Sequence, residues 1–121
     1  MNYDLDRKST GDKGEVLAAE YLQLLGFKIL ARNYKLFLGE IDILAEDKKT
    51  LVICEVKTVR GSGFGFAQDL VRFKKQNKLR NLAKALEQKF PKRAIRIDVI
   101  GVHLHENPPR LEYIKNAVEG D

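Results

Sequence analysis

Two carboxylates and a lysine in the stretch GEIDILAEDKKTLVICEVK, Gly39 to Lys57, have the types and spacing of a hydrolytic site. Runs rich in β-branched residues, Ile41 to Ala45 and Leu51 to Val56, flank a charged turn at Asp47-Lys48-Lys49 and predict a β-hairpin. With Lys48-Lys49 as a two-residue turn, Asp47 opposes Thr50, Asp42 opposes Glu55 and Glu40 opposes Lys57. Like charges directly opposed destabilise a sheet, and charges in apolar surroundings need a partner. A divalent cation between Asp42 and Glu55, with Lys57 beside it, meets both requirements. Hard ions such as Mg²⁺ take oxygen ligands, commonly one or two carboxylates completed by water and substrate phosphate. The chemistry expected is metal-assisted phosphodiester hydrolysis. A blander reading makes the same charges a structural network in which Lys57 neutralises the two acids. A register slipped by one residue would put Asp42 and Glu55 on opposite faces and remove the site.

Other elements must deliver these groups. Residues 1–10 are polar and are expected to fray. From Gly11 to Leu25 the recurrence of Leu17, Tyr21 and Leu24, and of Ala18, Leu22 and Leu25, predicts a helix that Gly26 stops. Glu15 has two readings there: a capping box with Asp12, or a third carboxylate brought to the metal site from the start of the buried face. Phe27 to Tyr34 predicts a first strand, with Ile29 and Ala31 on one face.

After the hairpin, the segment TVRGSGFGFAQ interleaves Gly61, Gly63 and Gly65 with Phe64 and Phe66, which suits a connection or a flap over substrate. It lacks the GK[ST] ending of a phosphate-cradling loop. Asp69 to Phe90 predicts a long helix with Leu70, Phe73, Leu79, Leu82, Ala83, Leu86 and Phe90 as its apolar stripe, ended by Pro91. Its other faces carry Arg72, Lys74, Lys75, Lys78, Arg80 and Lys84, a solvated basic face or, beside a carboxylate cluster, a track for nucleic-acid phosphates. Ala94 to Leu104 and Leu111 to Ile114 predict two further strands. Asp98 is expected to pair with Arg96 or a helix lysine, and His103 and His105 to be exposed edge residues.

The chain has 121 residues, enough for one domain with its own core: 11–115 as the folded unit and 116–121 as a tail. Its formal charge of +5 permits a nucleic-acid partner without requiring one. No apolar run reaches membrane-span length and the N-terminus is too polar for a signal peptide, so the cytoplasm is the expected address. The one cysteine, Cys54, makes neither an internal disulfide nor a cysteine-based zinc site and reads as a small buried hydrophobe.

The order of a helix bearing Glu15, then GEID, then EVK, then a long helix resembles the PD-(D/E)XK nuclease superfamily. Closer still is the similarity to the YraN-like family, endonuclease-like proteins similar to archaeal Holliday junction resolvases. It spans nearly the whole chain, through GDKGE (Gly11 to Glu15), RN (Arg32-Asn33), GEIDIL, CEVKT, RIDVI (Arg96 to Ile100) and NA (Asn116-Ala117). The resemblance implies an α/β restriction-endonuclease-like core, a mixed β-sheet flanked by helices. It implies Asp42 and Glu55 as Mg²⁺ or Mn²⁺ ligands, Lys57 as the water-activating or charge-stabilising residue, and Glu15 as an auxiliary ligand. Lys75 resembles a recurrent family lysine placed to touch phosphate. The expected function is an endodeoxyribonuclease acting on branched or otherwise structured DNA, with a homodimer supplying two active sites. The competing expectation is an accessory protein that binds nucleic acid and retains the fold without cleaving.

Overall fold

The computed structural model describes residues 3–59 and 73–118. The elements run α1 (Tyr3–Leu24), β1 (Lys28–Leu36), β2 (Gly39–Asp47), β3 (Thr50–Val59), α2 (Phe73–Lys89), β4 (Ala94–His103) and β5 (Arg110–Ile114). The five strands form one sheet in sequence order. Pairing is antiparallel from β1 to β3, parallel between β3 and β4, and antiparallel between β4 and β5. Two parallel strands need a crossover, and α2 lies in the connection between them.

Each face of the sheet is apolar and each is covered by one helix. Ala18 and Leu22 of α1 pack on Ile43, Ala45, Val52, Cys54, Ile100 and Val102. Leu79, Leu82 and Leu86 of α2 pack on Ile41, Leu44, Leu51, Ile53, Ile97 and Val99. Central strands β3 and β4 are therefore apolar on both faces, as expected for strands sandwiched between helices. Among the described residues no helix is long and apolar enough to cross a membrane.

Several sequence expectations need adjustment. Helix α1 begins at Tyr3, not Gly11, so Asp12 and Glu15 sit inside it and form no capping box at its start. Its end is a Schellman motif: Gly26 has φ 94°, its N–H donates to the Gln23 carbonyl, and the Phe27 N–H donates to the Leu22 carbonyl. Leu24 is 86% exposed and Leu25 is exposed too, so of the two predicted apolar rows Ala18 and Leu22 reach the core while the C-terminal ends do not. In β1 a register shift between Ile29 and Ala31 sends Ile29 to the α1 core and Ala31 to the α2 core, so the two do not share a face. Past β5, the Ala117 N–H donates to the Ile97 carbonyl at 2.8 Å and Val118 is buried in the α2 core, so the polar tail starts later than residue 116. The glycine- and phenylalanine-bearing segment, with Arg72 and Leu70, lies outside the described residues.

Candidate metal centre

The hairpin has the register expected. Lys48 adopts φ 58°, the left-handed conformation that tight hairpin turns demand, and the ladder runs from Asp47↔Thr50 to Ile43↔Cys54. It stops one position short of Asp42 and Glu55. There the Asp42 side chain takes over, its Oδ2 accepting the Val56 N–H at 2.9 Å. The Glu55 carboxyl group stands close enough to act on Asp42. Burial, and then the Glu55 charge, push Asp42 up to about 7, with the Glu15 charge adding to the rise and the Val56 N–H opposing it. A carboxyl pair of this kind retains a proton near neutrality or exchanges it for a cation.

Both strands beside the pair are irregular. Ile41 packs in the α2 core and Ile43 in the α1 core, although residues two apart on a regular strand share a face. Strand β2 therefore swaps faces around Asp42. In β1, Asn33 has φ 52° and lies between Arg32 and Tyr34, the partners of Ile43 and Ile41. Asparagine tolerates this conformation better than most residues. Its Nδ2 donates to Glu15 Oε1 at 3.2 Å and to Glu40 Oε1 at 3.0 Å. Asn33 thus joins helix, first strand and second strand around the carboxyl pair, a role that sequence reasoning missed. The RN pair within the family resemblance was the one available signal.

Glu15 reaches this neighbourhood because α1 approaches β3 closely. A Cβ on Gly14 would stand 2.3 Å from Thr58 Oγ1, so only glycine fits at that crossing without displacement. The next residue, Glu15, accepts from Arg32 Nη2 and Asn33 Nδ2, each at 3.2 Å. It acts on Asp42 through its field. Among the described residues, Glu15, Asp42 and Glu55 do not bring ligand atoms within 4.8 Å of one another as a group of three. The geometry is a carboxyl pair with a third carboxylate standing off. Gly14→Ala should lower stability by about 1–2 kcal/mol, the overpacking cost reduced by the better helix propensity of alanine. Adding Thr58→Ala, which removes the clashing oxygen, should restore most of it in a urea-denaturation double-mutant cycle.

Lys57 follows Glu55 by two positions and is solvent-exposed, with no ion pair among the described residues. It does not face Glu40, which lies opposite Lys35 of β1 and is held by Asn33, because the β2–β3 ladder ends before that point. Of the four basic residues expected at the nucleic-acid interface, Lys78 is exposed on α2, and a Cβ on Gly39 would touch its Cε at 3.7 Å. Its stem thus lies over the start of β2, three residues before Asp42. Lys74 and Lys75 belong to α2, but their side chains, like Arg72, lie outside what is described.

Three other polar residues resolve differently. Asp98 is structural, as expected: wholly buried, it accepts from Arg96 Nε at 3.0 Å and Nη2 at 3.1 Å. Cys54 is fully buried in the α1 core, and burial followed by the neighbouring carboxylates pushes its thiol up, making it inert. His103 is not an exposed edge residue; it is 2% exposed and bonded to Glu112 at 2.6 Å. The reason is topological, since β5 pairs beyond β4 and covers it.

The fold and site together define an α/β protein with a mixed sheet between two helices, consistent with a restriction-endonuclease-like core, and a carboxyl pair where its central hairpin ladder ends. Residues 14–102 match the profile of the uncharacterised protein family UPF0102, and the chain belongs to that family. A UPF0102 protein of Desulforamulus reducens is 41% identical over 120 residues, covering 94% of this chain and 98% of that one. One from Acidothermus cellulolyticus is 43% identical over 124 residues, covering 92% and 94%. Another, from Dehalococcoides mccartyi, is 43% identical over 118 residues, covering 93% and 95%.

Proposed function

We propose that this protein is a Mg²⁺- or Mn²⁺-dependent endodeoxyribonuclease acting on branched or otherwise structured DNA. The observation that supports this most is the pairing of the Asp42 and Glu55 carboxyl groups, with Asp42 held by the Val56 N–H where the hairpin ladder ends. Its donor set is oxygen only, which fits a hard divalent ion better than a soft one. A bound ion supplies a water of lowered pKa and neutralises charge on the phosphoryl oxygens.

The chain's own residues do the rest. Asp42 and Glu55 hold the ion, and Glu15, oriented by Arg32 and Asn33, positions water beside it. Lys57 places a positive charge where the phosphate gains negative charge in the transition state. Lys78 draws the phosphate backbone towards the start of β2, and Arg72, Lys74 and Lys75 are the other basic residues expected to contact it. Symmetric resolution of a four-way junction needs two such sites, which makes the working form a homodimer.

The test is cleavage of duplex, single-stranded, flap and four-way DNA with Mg²⁺ or Mn²⁺ by the wild type and by Asp42→Asn and Glu55→Gln. Metal-dependent cleavage that both substitutions abolish supports the reading. Equal inactivity of all three proteins, with DNA binding retained, replaces it with a non-catalytic accessory role. Lys57→Ala should reduce turnover about 10²-fold, the scale of losing one preorganised charge stabiliser, while leaving DNA affinity near wild type. Single-turnover cleavage and a binding titration on the same substrate measure the two effects separately.

A further inference from the structure

A second cluster lies at the β4–β5 turn, built from different donors. His103 ends β4, and His105 and Glu106 follow in the turn that leads to Arg110 of β5. His103 Nε2 meets Glu112 Oε1 at 2.6 Å. An ionised carboxylate can only accept, so this contact puts the ring proton on Nε2 and leaves the lone pair of the neutral ring on Nδ1. That Nδ1 faces Glu106 Oε2 at 3.8 Å, too far for a hydrogen bond. On the other side of the same oxygen, His105 Nε2 stands 3.9 Å away. One ligand atom from each of the three residues lies within 4.8 Å of those of the other two.

We infer that His103 Nδ1, His105 Nε2 and a Glu106 carboxylate oxygen form a binding site for a divalent transition ion of the zinc class, with Glu112 orienting His103. Two imidazoles and one carboxylate with an open fourth position are a recognised ligand set for zinc. Tetrahedral bonds of about 2.0–2.2 Å put donors roughly 3.4 Å apart, so the side chains close by up to about 1.4 Å on binding. His105 and Glu106 are about one-third exposed, so His105 can swing in and Glu106 can shift together with its exposed Arg110 partner, whereas His103 is buried and held by Glu112. The Glu112 contact is the carboxylate–histidine arrangement that sets tautomer and ring angle in metal sites.

Arg110 sharpens the choice of ion. Its Nε donates to both Glu106 oxygens, at 3.1 and 3.0 Å, and its Nη1 to Glu112 Oε1 at 2.9 Å. This cation reduces the negative charge that a hard ion such as Mg²⁺ or Ca²⁺ requires. It leaves the imidazole nitrogens untouched, so selectivity passes to ions that bind nitrogen well. An ion here would tie the end of β4 to the turn that enters β5. It is independent of the Asp42–Glu55 pair.

Calorimetric titration of the full chain with Zn²⁺, and visible absorption of Co²⁺ added in its place, test the site. Expected are one ion bound per chain with micromolar or tighter affinity, tetrahedral Co²⁺ absorption, and a melting temperature that rises with Zn²⁺ concentration. His105→Ala, at a partly exposed position that should fold normally, should abolish the Co²⁺ spectrum. Glu112→Gln should weaken Zn²⁺ binding about 10–100-fold, the usual effect of losing an orienting partner. Asp42→Asn should leave it unchanged. The inference is overturned if Zn²⁺ does not bind stoichiometrically, or if His105→Ala binds it as the wild type does. Loss of binding in Asp42→Asn with retention in His105→Ala would also overturn it, because the ion would then belong to the carboxyl pair.

Discussion

Asp98→Ala should cost about 3–5 kcal/mol, a large share of the ~5–15 kcal/mol that holds a domain folded. The wholly buried carboxylate receives Arg96 Nε and Nη2, the Tyr113 hydroxyl, and the Asn116 N–H at 2.8 Å. Four donors fill the acceptor capacity of one carboxylate. Its removal leaves Arg96, whose side chain is 14% exposed, with Asp47 as its remaining acidic partner at 3.2 Å. It also strips acceptors from Tyr113 and Asn116. Breaking one side of a buried pair is expensive because the surviving charge stays desolvated. Asn116 has φ 54° and leads into the Ala117–Ile97 bond and the burial of Val118, so the damage should spread to residues 116–118. Urea unfolding measures the global loss, and hydrogen exchange at the Ala117 amide measures the local release. A stable Asp98→Ala protein that had lost divalent-ion binding would instead make Asp98 a ligand.

The parts of the fold legible in the sequence are those where a single periodicity holds from end to end. Strands β3 and β4 are rich in β-branched residues along their length, and on α2 the residues Leu79, Leu82 and Leu86 mark one helical stripe that all reaches the core. The hairpin register followed from the turn alone, because a two-residue loop fixes which residues oppose. What the sequence hid are interruptions of periodicity. Ile29 and Ala31 look like one face until the shift between them is known, and Ile41 and Ile43 look alike until β2 swaps faces at Asp42. Such irregularities depend on what the neighbouring strand and helix demand, and no local propensity records them.

The candidate site divides along the same line. Asp42 and Glu55 could be paired in advance because both lie on one hairpin. Glu15 could be placed near them only by its position on an apolar face. Its true setting depends on the tight crossing of Gly14 with the distant Thr58, and on Asn33, 18 residues further along the chain than Glu15. His103 illustrates the opposite failure. Spacing alone showed two histidines on one strand, but Glu112 comes from the next strand, and only pairing reveals the bond that sets its tautomer.

Asp42→Asn should make the metal-free protein more stable while abolishing its cleavage of DNA. In the folded state Asp42 is raised from 3.8 to about 7, so between those values the native protein holds a proton that the unfolded chain has released. Stability therefore falls as pH rises whenever the unfolded state binds fewer protons. The cost of ionising Asp42 is absent below about pH 4, grows through pH 4–7 and is complete above it, reaching of order 2–4 kcal/mol. Asparagine imitates the protonated acid: its oxygen can keep the Val56 N–H and its amide can donate to Glu55, with no charge to bury. The variant should thus match wild type at pH 4 and exceed it at pH 8, in urea unfolding with a chelator present. Mg²⁺ or Mn²⁺ should reverse the order, stabilising the wild type increasingly as pH rises through 7, because the ion and the proton compete for the same pair. Asparagine offers no such exchange, so its stability should not respond to the ion at either pH. Equal pH dependence in both proteins would mean that Asp42 ionises without cost, and the carboxyl pair would then lose its claim to be a site built for a cation.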